Sequence, residues 1–287
     1  MHLMKNNSCL IVLNYNGIVY LKSNLNEIFK LCERSEVDFF VGDDNSTDES
    51  ITHLKQNSIP HFLNTSQNKG YAANLNNVLK NLVEKGYQEF IVANSDIEIS
   101  EDFFQNYKTT LKSLKKINNW GLLGFTEINE SFKKQNLTSQ ECQVQNEVKT
   151  IKGFLYVINL KLIHTIGYFD ESYFMYGEDN DYFFRTRNAG FAIYESPIKV
   201  FHYSEGSELN LKKNSWLAYR NSIMFARKNL NRWGYLKLML SIIHIIYNPF
   251  YKKNDPSVNL LRRTGFIENH IFFYKSIYPL HNCYSGI

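Results

Sequence analysis

The first half of the chain alternates short apolar runs with longer stretches in which apolar residues recur at helical spacing. Residues 10–13 form an uninterrupted apolar run, and residues 19–31 follow with Leu21, Ile28 and Phe29 on one helical face. Alternating strands and helices predict an α/β fold in which a mostly parallel central sheet has helices on both faces. The predicted strands are residues 10–13, 39–41, 61–63, 89–93 and 121–125.

Polar clusters follow the first four of these strands. In open α/β sheets ligands bind at the carboxyl ends of the strands, so the clusters predict one shared binding edge. Ordinary turn chemistry explains each cluster alone, and only the repeated position favours a site. The clusters are residues 14–17, Asp43 with Asp44, residues 68–70 and residues 94–96.

Asp43 and Asp44 have the chemistry of a nucleotide contact. A carboxylate at a strand end can accept hydrogen bonds from the imide N–H of a base or from a ribose hydroxyl. An Asp-rich turn that caps a helix starting near Ser46 is an equally good explanation. Both interpretations stay open from these residues alone.

Asp96 and Glu98 occupy alternate positions, which would put both carboxylates on the same side of an extended segment. Such oxygen ligands suit Mg²⁺ or Mn²⁺ bridging a diphosphate. His202 ends a later apolar run, and its imidazole is a candidate further ligand. The alternatives are a simple turn at residues 94–96 and a structural histidine among aromatic residues.

A second acidic cluster lies at a predicted helix start, in residues 174–181. Glu178 and Asp179 directly follow Gly177, which would let the backbone turn sharply and present both carboxylates in a cleft. Paired carboxylates there can supply a general base and orient an attacking hydroxyl. Acidic residues also stabilise a helix start through the helix dipole, so capping is the competing explanation.

The later part of the chain is less regular. Residues 127–147 are polar without clear periodicity, which is typical of a functional or mobile loop and equally of a surface hairpin. Residues 216–230 and 235–247 are predicted helices of a C-terminal appendage. Residues 236–250 are apolar with aromatic and lysine flanks. They suit an interfacial membrane helix, and equally a helix packed on the domain or in a dimer interface.

Composition narrows the classes of protein. The 287 residues are 44% hydrophobic, and the net charge of +4 argues against a dedicated nucleic-acid binder. That charge is compatible with an anionic nucleotide or a phospholipid surface. The four cysteines favour a reducing compartment because they are far apart without a CxxC pair. No stretch is predicted as a signal peptide or membrane span, so we expect a soluble or peripherally bound protein.

The order of these motifs resembles a family-2 glycosyltransferase of the GT-A fold, and its second half resembles the rhamnosyltransferase-like bacterial subgroup. The resemblance covers roughly residues 8–230. It departs from the usual pattern in two places: Asn94 replaces an acidic residue of the metal motif, and Asn45 and Glu49 stand where glycine is common. The matching segments are residues 12–16, 43–48, 68–74, 94–96, 153–154, 167–171 and 174–181, Arg185, residues 189–190 and His202.

The family implies an inverting transfer from a nucleotide-diphospho-sugar, with Mn²⁺ or Mg²⁺ as cofactor. By this resemblance Asp179 is the general base and Glu178 positions the acceptor. Asp96 binds the metal, with His202 as a further ligand and Glu98 as a candidate ligand. The residues implied in nucleotide or donor binding are Asn14, Tyr15, Asn16, Asp43, Asp44, Asn68, Gly70, Asn74, Asn94, Ser95 and Asp96. The candidates for acceptor or diphosphate contacts are Gly153, Tyr176 and Arg220. A solvated basic face explains Arg220 equally well.

The resulting expectation is a metal-dependent inverting glycosyltransferase that uses a UDP- or dTDP-linked sugar. Its acceptor would be a saccharide linked to polyprenyl diphosphate, in bacterial O-antigen or capsule synthesis. We expect a cytoplasmic protein, peripheral on the cytoplasmic face of the inner membrane, with a homodimer as a candidate state and no nucleic-acid partner. The alternatives are a non-catalytic nucleotide- or glycan-binding protein of the same fold and a sugar nucleotidyltransferase.

The sequence disfavours both of these alternatives. A nucleotidyltransferase would carry a Gly-rich, basic phosphate loop after the first strand, which residues 14–20 lack. A non-catalytic protein would be expected to lose Asp96, Asp179 or His202, and all three are present.

Residues 1–210 would form the catalytic domain and residues 211–287 a C-terminal helical extension. Within the catalytic domain, about residues 1–100 would bind the nucleotide and about residues 101–210 the acceptor.

Overall fold

The computed structural model describes residues 6–64, 66–128, 141–143, 146–203, 217–218, 220–236 and 239–240. Met1–Gly206 forms one compact unit and Ser207–Ile287 a second. In the second unit residues 217–218, 220–229, 232–236 and 239–240 are helical, and residues 230–231 are not. The rest of the predicted appendage lies outside the described residues. None of the helices in the described part of the chain combines the length and the hydropathy that a bilayer span requires.

The described residues of the first unit contain nine strands and seven α-helices. The strands are β1 (Ser8–Asn14), β2 (Asp38–Asp43), β3 (His61–Leu63), β4 (Glu89–Asn94), β5 (Ile97–Glu98), β6 (Trp120–Ile128), β7 (Asn146–Val148), β8 (Leu155–Asn159) and β9 (Ala192–His202). The helices are α1 (Ile18–Tyr20), α2 (Asn26–Arg34), α3 (Ser50–Gln56), α4 (Tyr71–Glu84), α5 (Phe103–Leu114), α6 (Leu160–Ile166) and α7 (Glu178–Asn188). A π-helical turn, Leu21–Leu25, joins α1 to α2, and Glu141–Gln143 is a 3₁₀ turn.

The strands form one sheet in the order β3-β2-β1-β4-β8-β6-β9-β5, with β7 paired to β9. β3, β2, β1 and β4 are parallel neighbours. β8 is antiparallel to both β4 and β6, so β6 and its parallel partner β9 run in the direction of β4. The predicted α/β fold with a mostly parallel sheet is confirmed in this sense. The carboxyl ends of β1, β2, β4, β6 and β9 therefore lie at one edge.

Each buried strand contributes side chains to both faces of the sheet. In β1, Leu10 and Val12 join one core with α2, α3 and α5. Cys9, Ile11 and Leu13 alternate with them and join a second core with α4, α6 and α7. The predicted layers of helices on both faces are therefore confirmed. Full burial of each such aliphatic side chain contributes about 1.5–3 kcal/mol to folding.

Two predicted boundaries are wrong. α3 begins at Ser50, because the Asp48 carboxylate accepts a hydrogen bond from Ser50 N at 2.9 Å and holds a turn ahead of the helix. β6 continues into the predicted loop as far as Ile128, because β9 pairs alongside it with Glu127 opposite Val200. β7 also lies within that predicted loop, of which residues 129–140 and 144–145 are outside the described residues.

Cys9, Cys32 and Cys142 are buried free thiols, and Cys283 lies outside the described residues. Burial raises the pKa of the Cys9 and Cys32 thiols, and the Asp38 carboxylate adds to the increase. These two thiols are therefore protonated and unreactive near neutral pH.

Candidate active site

The chain just beyond β2 holds a neighbouring loop in place. Asp44 accepts hydrogen bonds from Lys69 N at 3.0 Å and Gly70 N at 2.7 Å. Gly70 has a φ of 88°, and a Cβ there would lie 2.1 Å from the Phe174 carbonyl oxygen. Tyr71 N donates to the same oxygen at 2.8 Å. Asp44 therefore fixes the turn against which the segment before α7 packs.

Asp43, the last residue of β2, is fully buried. Its carboxylate accepts from Asn14 Nδ2 at 2.7 Å and from the backbone N and Oγ of Ser46 at 2.8 and 2.7 Å. These bonds join the ends of β1 and β2 and give Asp43, like Asp44, a structural role. The contact of Asp43 and Asp44 with a base or ribose stays a prediction. Tyr15, next to Asn14, is 48% exposed, and Asn16 is exposed as well, so both are accessible to a ligand.

The remaining predicted nucleotide-site residues lie in turns, in the first part of α4 and at the end of β4. Asn16 and Asn45 adopt left-handed φ values of 52° and 63°, which asparagine accommodates better than most residues, so Asn45 fits a position where glycine is common. Asn16 Oδ1 accepts from Thr47 N at 2.7 Å. A Cβ at Gly17 would lie 3.2 Å from Ser95 Oγ, which places Ser95 beside the end of β1. Asn68 Oδ1 accepts from Gly70 N, Asn74 Nδ2 donates to Gly42 O, and Asn94 N donates to Phe154 O, each at 2.9 Å.

Asp96 and His202 meet at this edge, as the predicted metal site requires. His202 Nε2 lies 3.3 Å from Asp96 Oδ1. Neighbouring ligands of an octahedral ion with bonds of ~2.1 Å lie about 3 Å apart, so this pair fits two corners of such a site. No cluster of three or more His, Cys, Asp or Glu side chains with metal-binding geometry occurs among the described residues. Oxygens of a diphosphate and of water complete the coordination in many Mg²⁺ sites.

Glu98 does not join this pair. Its carboxylate accepts a hydrogen bond from the Tyr203 hydroxyl, and β5 places Ile97 opposite His202 and Glu98 opposite Phe201. The sequence argument assumed an extended chain, but Asp96 lies in a bend before β5, so the alternation of side chains does not hold. The structure gives no support to Glu98 as a metal ligand.

Glu127 is a site residue that the sequence did not reveal. Its Oε1 lies 2.7 Å from His202 Nδ1, and Lys152 Nζ contacts its Oε2. Burial opposes ionisation of Glu127, but the hydrogen bonds from Lys152 and His202 outweigh it and lower its pKa. Burial likewise opposes the charged form of His202, but Asp96 and Glu127 raise the pKa of its imidazole. One sequence signal could have indicated Glu127: it is an acidic residue just beyond the predicted strand 121–125, like the other strand-end clusters.

Gly153 and Phe154 lie between the Asp96–His202 pair and the acidic pair of α7. The Phe154 ring stacks on the His202 imidazole, with centroids 5.0 Å apart and planes at 17°. A Cβ at Gly153 would lie 2.7 Å from Asp179 Oδ2, so a side chain at this position would displace the carboxylate. Asp179 and His202 are therefore held by adjacent residues of one segment.

Glu178 begins α7, as predicted, and burial sets its chemistry. Gly177 occupies the N-cap position with a φ of 91°, and no side chain caps the helix. Glu178 is 7% exposed, and its Oε2 has no hydrogen-bond partner among the described residues. Burial, followed by the Asp179 carboxylate, raises the pKa of Glu178 to about 8, and burial also raises the pKa of Asp179. Side-chain capping does not explain this pair, because no side chain forms a capping hydrogen bond at the start of α7.

Two tyrosine hydroxyls lie close to this acidic pair. Tyr156 is buried and Tyr71 is half-buried, and the two phenols interact with each other. Burial raises the pKa of both phenols, and the carboxylates of Glu178 and Asp179 raise it further. The acidic pair therefore borders a poorly solvated region.

The predicted acceptor residues are only partly connected to this geometry. Gly153 contacts Asp179, and Tyr176 adopts a left-handed φ of 68° immediately before Gly177. Arg220 lies in a helical segment of the second unit. The acceptor or diphosphate contacts expected of Gly153, Tyr176 and Arg220 stay predictions.

The fold is that of the GT-A glycosyltransferases, and solved structures of such enzymes are similar to this chain. A mannosyltransferase from Pyrobaculum calidifontis, in complex with GDP-Man and Mn²⁺, matches with a TM-score of 0.55 and 12% identity, covering 92% of this chain and 81% of its own. S. aureus TarS 1-349, in complex with UDP-GlcNAc, matches with a TM-score of 0.54 and 17% identity, covering 85% of this chain and 75% of its own. The predicted fold class is confirmed.

The sequence profile described as glycosyl transferase family 2 matches residues 9–162, more than half of the chain, and the protein belongs to this family. A similar relative is the low-salt glycan biosynthesis hexosyltransferase Agl10 of Haloferax volcanii. It is 23% identical over 261 residues, which span 81% of this chain and 81% of the relative. The family predicted from the motifs is confirmed.

Gly153→Ala tests the position of Asp179. The added methyl group would push the carboxylate away, and a misplacement of ~1 Å costs on the order of 100-fold in rate. We expect kcat, measured as release of nucleoside diphosphate from a sugar donor, to fall about 10- to 100-fold with little change in the donor KM. Gly190→Ala is the control, because a Cβ there meets no atom within 4 Å and only the positive φ of 81° is strained. An unchanged kcat in Gly153→Ala would contradict the assignment of Asp179.

Glu178→Gln tests the buried carboxyl through stability. With a pKa near 8 in the folded protein and near 4.5 when unfolded, Glu178 makes the fold less stable as pH rises through that interval. We therefore expect the Tm advantage of Glu178→Gln over the wild type to grow from about pH 4.5 to about pH 8 and then level off. Calorimetry across this range measures the difference, with Glu36→Gln, a 68% exposed carboxylate, as the control. A Tm difference independent of pH would refute the raised pKa.

Proposed function

We propose that this protein is a metal-dependent, inverting glycosyltransferase that moves a hexose-type sugar from a nucleotide-diphospho-sugar to a saccharide. The names of similar proteins support the donor and sugar class: one is a hexosyltransferase of glycan biosynthesis, and two structures hold GDP-Man with Mn²⁺ or UDP-GlcNAc. The donor is UDP- or dTDP-linked in the prediction from sequence, and the GDP-Man complex of a similar fold adds GDP-linked sugars to the range to test.

One observation supports this proposal most strongly. Gly153 borders the half-buried carboxylate of Asp179, and the next residue, Phe154, stacks on His202, which lies 3.3 Å from Asp96. Glycosyl transfer with inversion needs a base for the acceptor on one face of the sugar and charge stabilisation for the leaving diphosphate on the other. Candidates for both roles, the base and the residues that stabilise the leaving diphosphate, lie near this segment.

Asp96 and His202 would hold the divalent ion, Mn²⁺ or Mg²⁺. When bound, such an ion neutralises the charge that develops on the diphosphate leaving group. The strand-end turns around Tyr15, Asn16 and Asn68 would contact the nucleotide. Asp43 and Asp44 would shape that region by holding its loops, and their direct contact with the base or ribose belongs to the same proposal.

Asp179 would deprotonate the acceptor hydroxyl. Its raised pKa makes it a stronger base than an exposed aspartate, and general-base catalysis of this kind contributes about 10²–10⁴-fold. Glu178, with a pKa near 8, would keep its proton at neutral pH and donate a hydrogen bond that positions the acceptor. Attack by the hydroxyl in line with the departing diphosphate inverts the anomeric centre.

The acceptor proposal follows the family resemblance. It is a saccharide on a polyprenyl diphosphate carrier, in O-antigen, capsule or related surface glycan synthesis, at the cytoplasmic face of a membrane. Gly153, Tyr176 and Arg220 are the candidate acceptor or diphosphate contacts. Peripheral membrane binding and a homodimer belong to the same proposal.

A donor panel tests the proposal. UDP-, dTDP- and GDP-linked sugars are added to the wild type, Asp96→Asn and Asp38→Asn, with Mn²⁺, Mg²⁺ or EDTA, and the shift in Tm is measured. We expect one nucleotide class to stabilise the wild type in a metal-dependent way, with a shift that grows with ligand concentration over Kd. Asp96→Asn should lose the metal-dependent part. Asp38→Asn should keep it, because Asp38 lies at the opposite end of β2.

The selected donor is then used to follow nucleotide release. Asp179→Asn should bind the donor normally and release nucleotide about 10²–10⁴-fold more slowly. Donor binding without release in the wild type, with any saccharide acceptor, would favour the non-catalytic binding protein. No Tm shift with any donor would refute the donor site.

A further inference from the structure

Two carboxylates flank the imidazole of His202, one from the bend before β5 and one from β6. Its Nε2 lies 3.3 Å from Asp96 Oδ1, and its Nδ1 lies 2.7 Å from Glu127 Oε1. Phe154 stacks on the ring face with planes at 17°, which restricts rotation of the ring. The two sides of the imidazole are therefore chemically different: Asp96 belongs to the proposed metal site, and Glu127 belongs to the sheet behind it.

Glu127 is itself held in place. It lies near the end of β6, where it stands opposite Val200 and Ile128 stands opposite Phe201, so pairing with β9 sets its distance from His202. Its carboxylate is 12% exposed, and Lys152 Nζ, on a side chain 65% exposed, forms an ion pair with Oε2. Both oxygens of the carboxylate thus face donors from this chain.

This arrangement selects one neutral tautomer of His202. An ionised carboxylate only accepts hydrogen bonds, so the nitrogen that faces Glu127 must carry the proton. Asp96 is also a hydrogen-bond acceptor, but its oxygen lies 3.3 Å from Nε2, whereas the Glu127 oxygen lies 2.7 Å from Nδ1. The neutral ring therefore keeps its proton on Nδ1 and its lone pair on Nε2. The other tautomer would direct an N–H into the proposed site, and that nitrogen could not bind a cation.

We propose that Glu127 is a positioning residue that fixes the tautomer and orientation of His202 for metal binding, and that Lys152 anchors Glu127. The inference rests on the proposed metal dependence. A carboxylate or carbonyl that receives the second N–H of a ligating histidine orients the ring and strengthens it as a ligand, and loss of such a partner costs about 10- to 100-fold in metal affinity.

The test measures Mn²⁺ binding to the full chain directly, by the loss of the free Mn²⁺ signal in electron paramagnetic resonance. Glu127→Ala should raise the Kd for Mn²⁺ about 10- to 100-fold. Glu127→Gln keeps an oxygen that accepts the Nδ1 proton, so it should recover most of that loss. Glu36→Ala removes a surface carboxylate that pairs with Lys108 and should leave the Kd unchanged.

A second readout does not use the metal. Nitrogen-15 NMR of the imidazole, at a pH where the ring is neutral, should show the proton on Nδ1 in the wild type and Glu127→Gln. Glu127→Ala should shift it toward Nε2. Lys152→Met, a change at an exposed side chain, should keep the tautomer and raise the Kd by less than Glu127→Ala does.

Three results would overturn the inference in distinguishable ways. Equal Kd values for the wild type and Glu127→Ala would refute the role of Glu127. If Asp96→Asn still binds Mn²⁺ more weakly than the wild type in the same assay, the proposed function stands. An Nε2 proton in wild-type neutral His202 would reverse the tautomer argument. A wild type that binds no Mn²⁺ would remove this inference together with the proposed metal dependence.

Discussion

The contact between the Gly153 backbone and the Asp179 carboxylate is the constraint on which this site depends. A side chain at this position would displace Asp179 from the start of α7, since a Cβ would come within 2.7 Å of its oxygen. The next residue, Phe154, stacks on His202 and receives a hydrogen bond from Asn94 N at the end of β4. One short segment thereby links the acidic helix start to the Asp96–His202 pair and to the centre of the sheet.

The direction of the strands explains why so many carboxylates gather here. β1, β2, β4, β6 and β9 all end at this edge, and each buried carboxylate costs free energy unless donors compensate it. Asp43 and Asp44 receive hydrogen bonds from neighbouring loops, and Glu127 is held between Lys152 and His202. Glu178 has an uncompensated oxygen among the described residues, and its pKa is raised accordingly. The site therefore gives up stability where we place the chemistry, as functional sites commonly do.

The five strands predicted from the sequence correspond to β1, β2, β3, β4 and β6, because hydrophobic periodicity is a local pattern. It could not predict Glu127, since β6 extends past residue 125 only through pairing with β9. The predicted alignment of Glu98 with Asp96 fails because the chain bends at Asp96, so side chains do not alternate regularly between the two residues. A carboxylate that holds loops and one that binds a ligand look identical in sequence, and only the hydrogen bonds of Asp44 reveal its structural role.

The most direct measurement is anomalous diffraction at the manganese edge from crystals grown with Mn²⁺ and the nucleoside diphosphate of the donor that the panel selects. The account predicts one manganese peak with Asp96 Oδ1 and His202 Nε2 as ligands at ~2.1–2.2 Å, diphosphate oxygens on its remaining positions, and the Asp179 carboxylate directed at the space beyond. A peak ligated by other residues, or a diphosphate bound at this edge without manganese, would contradict it.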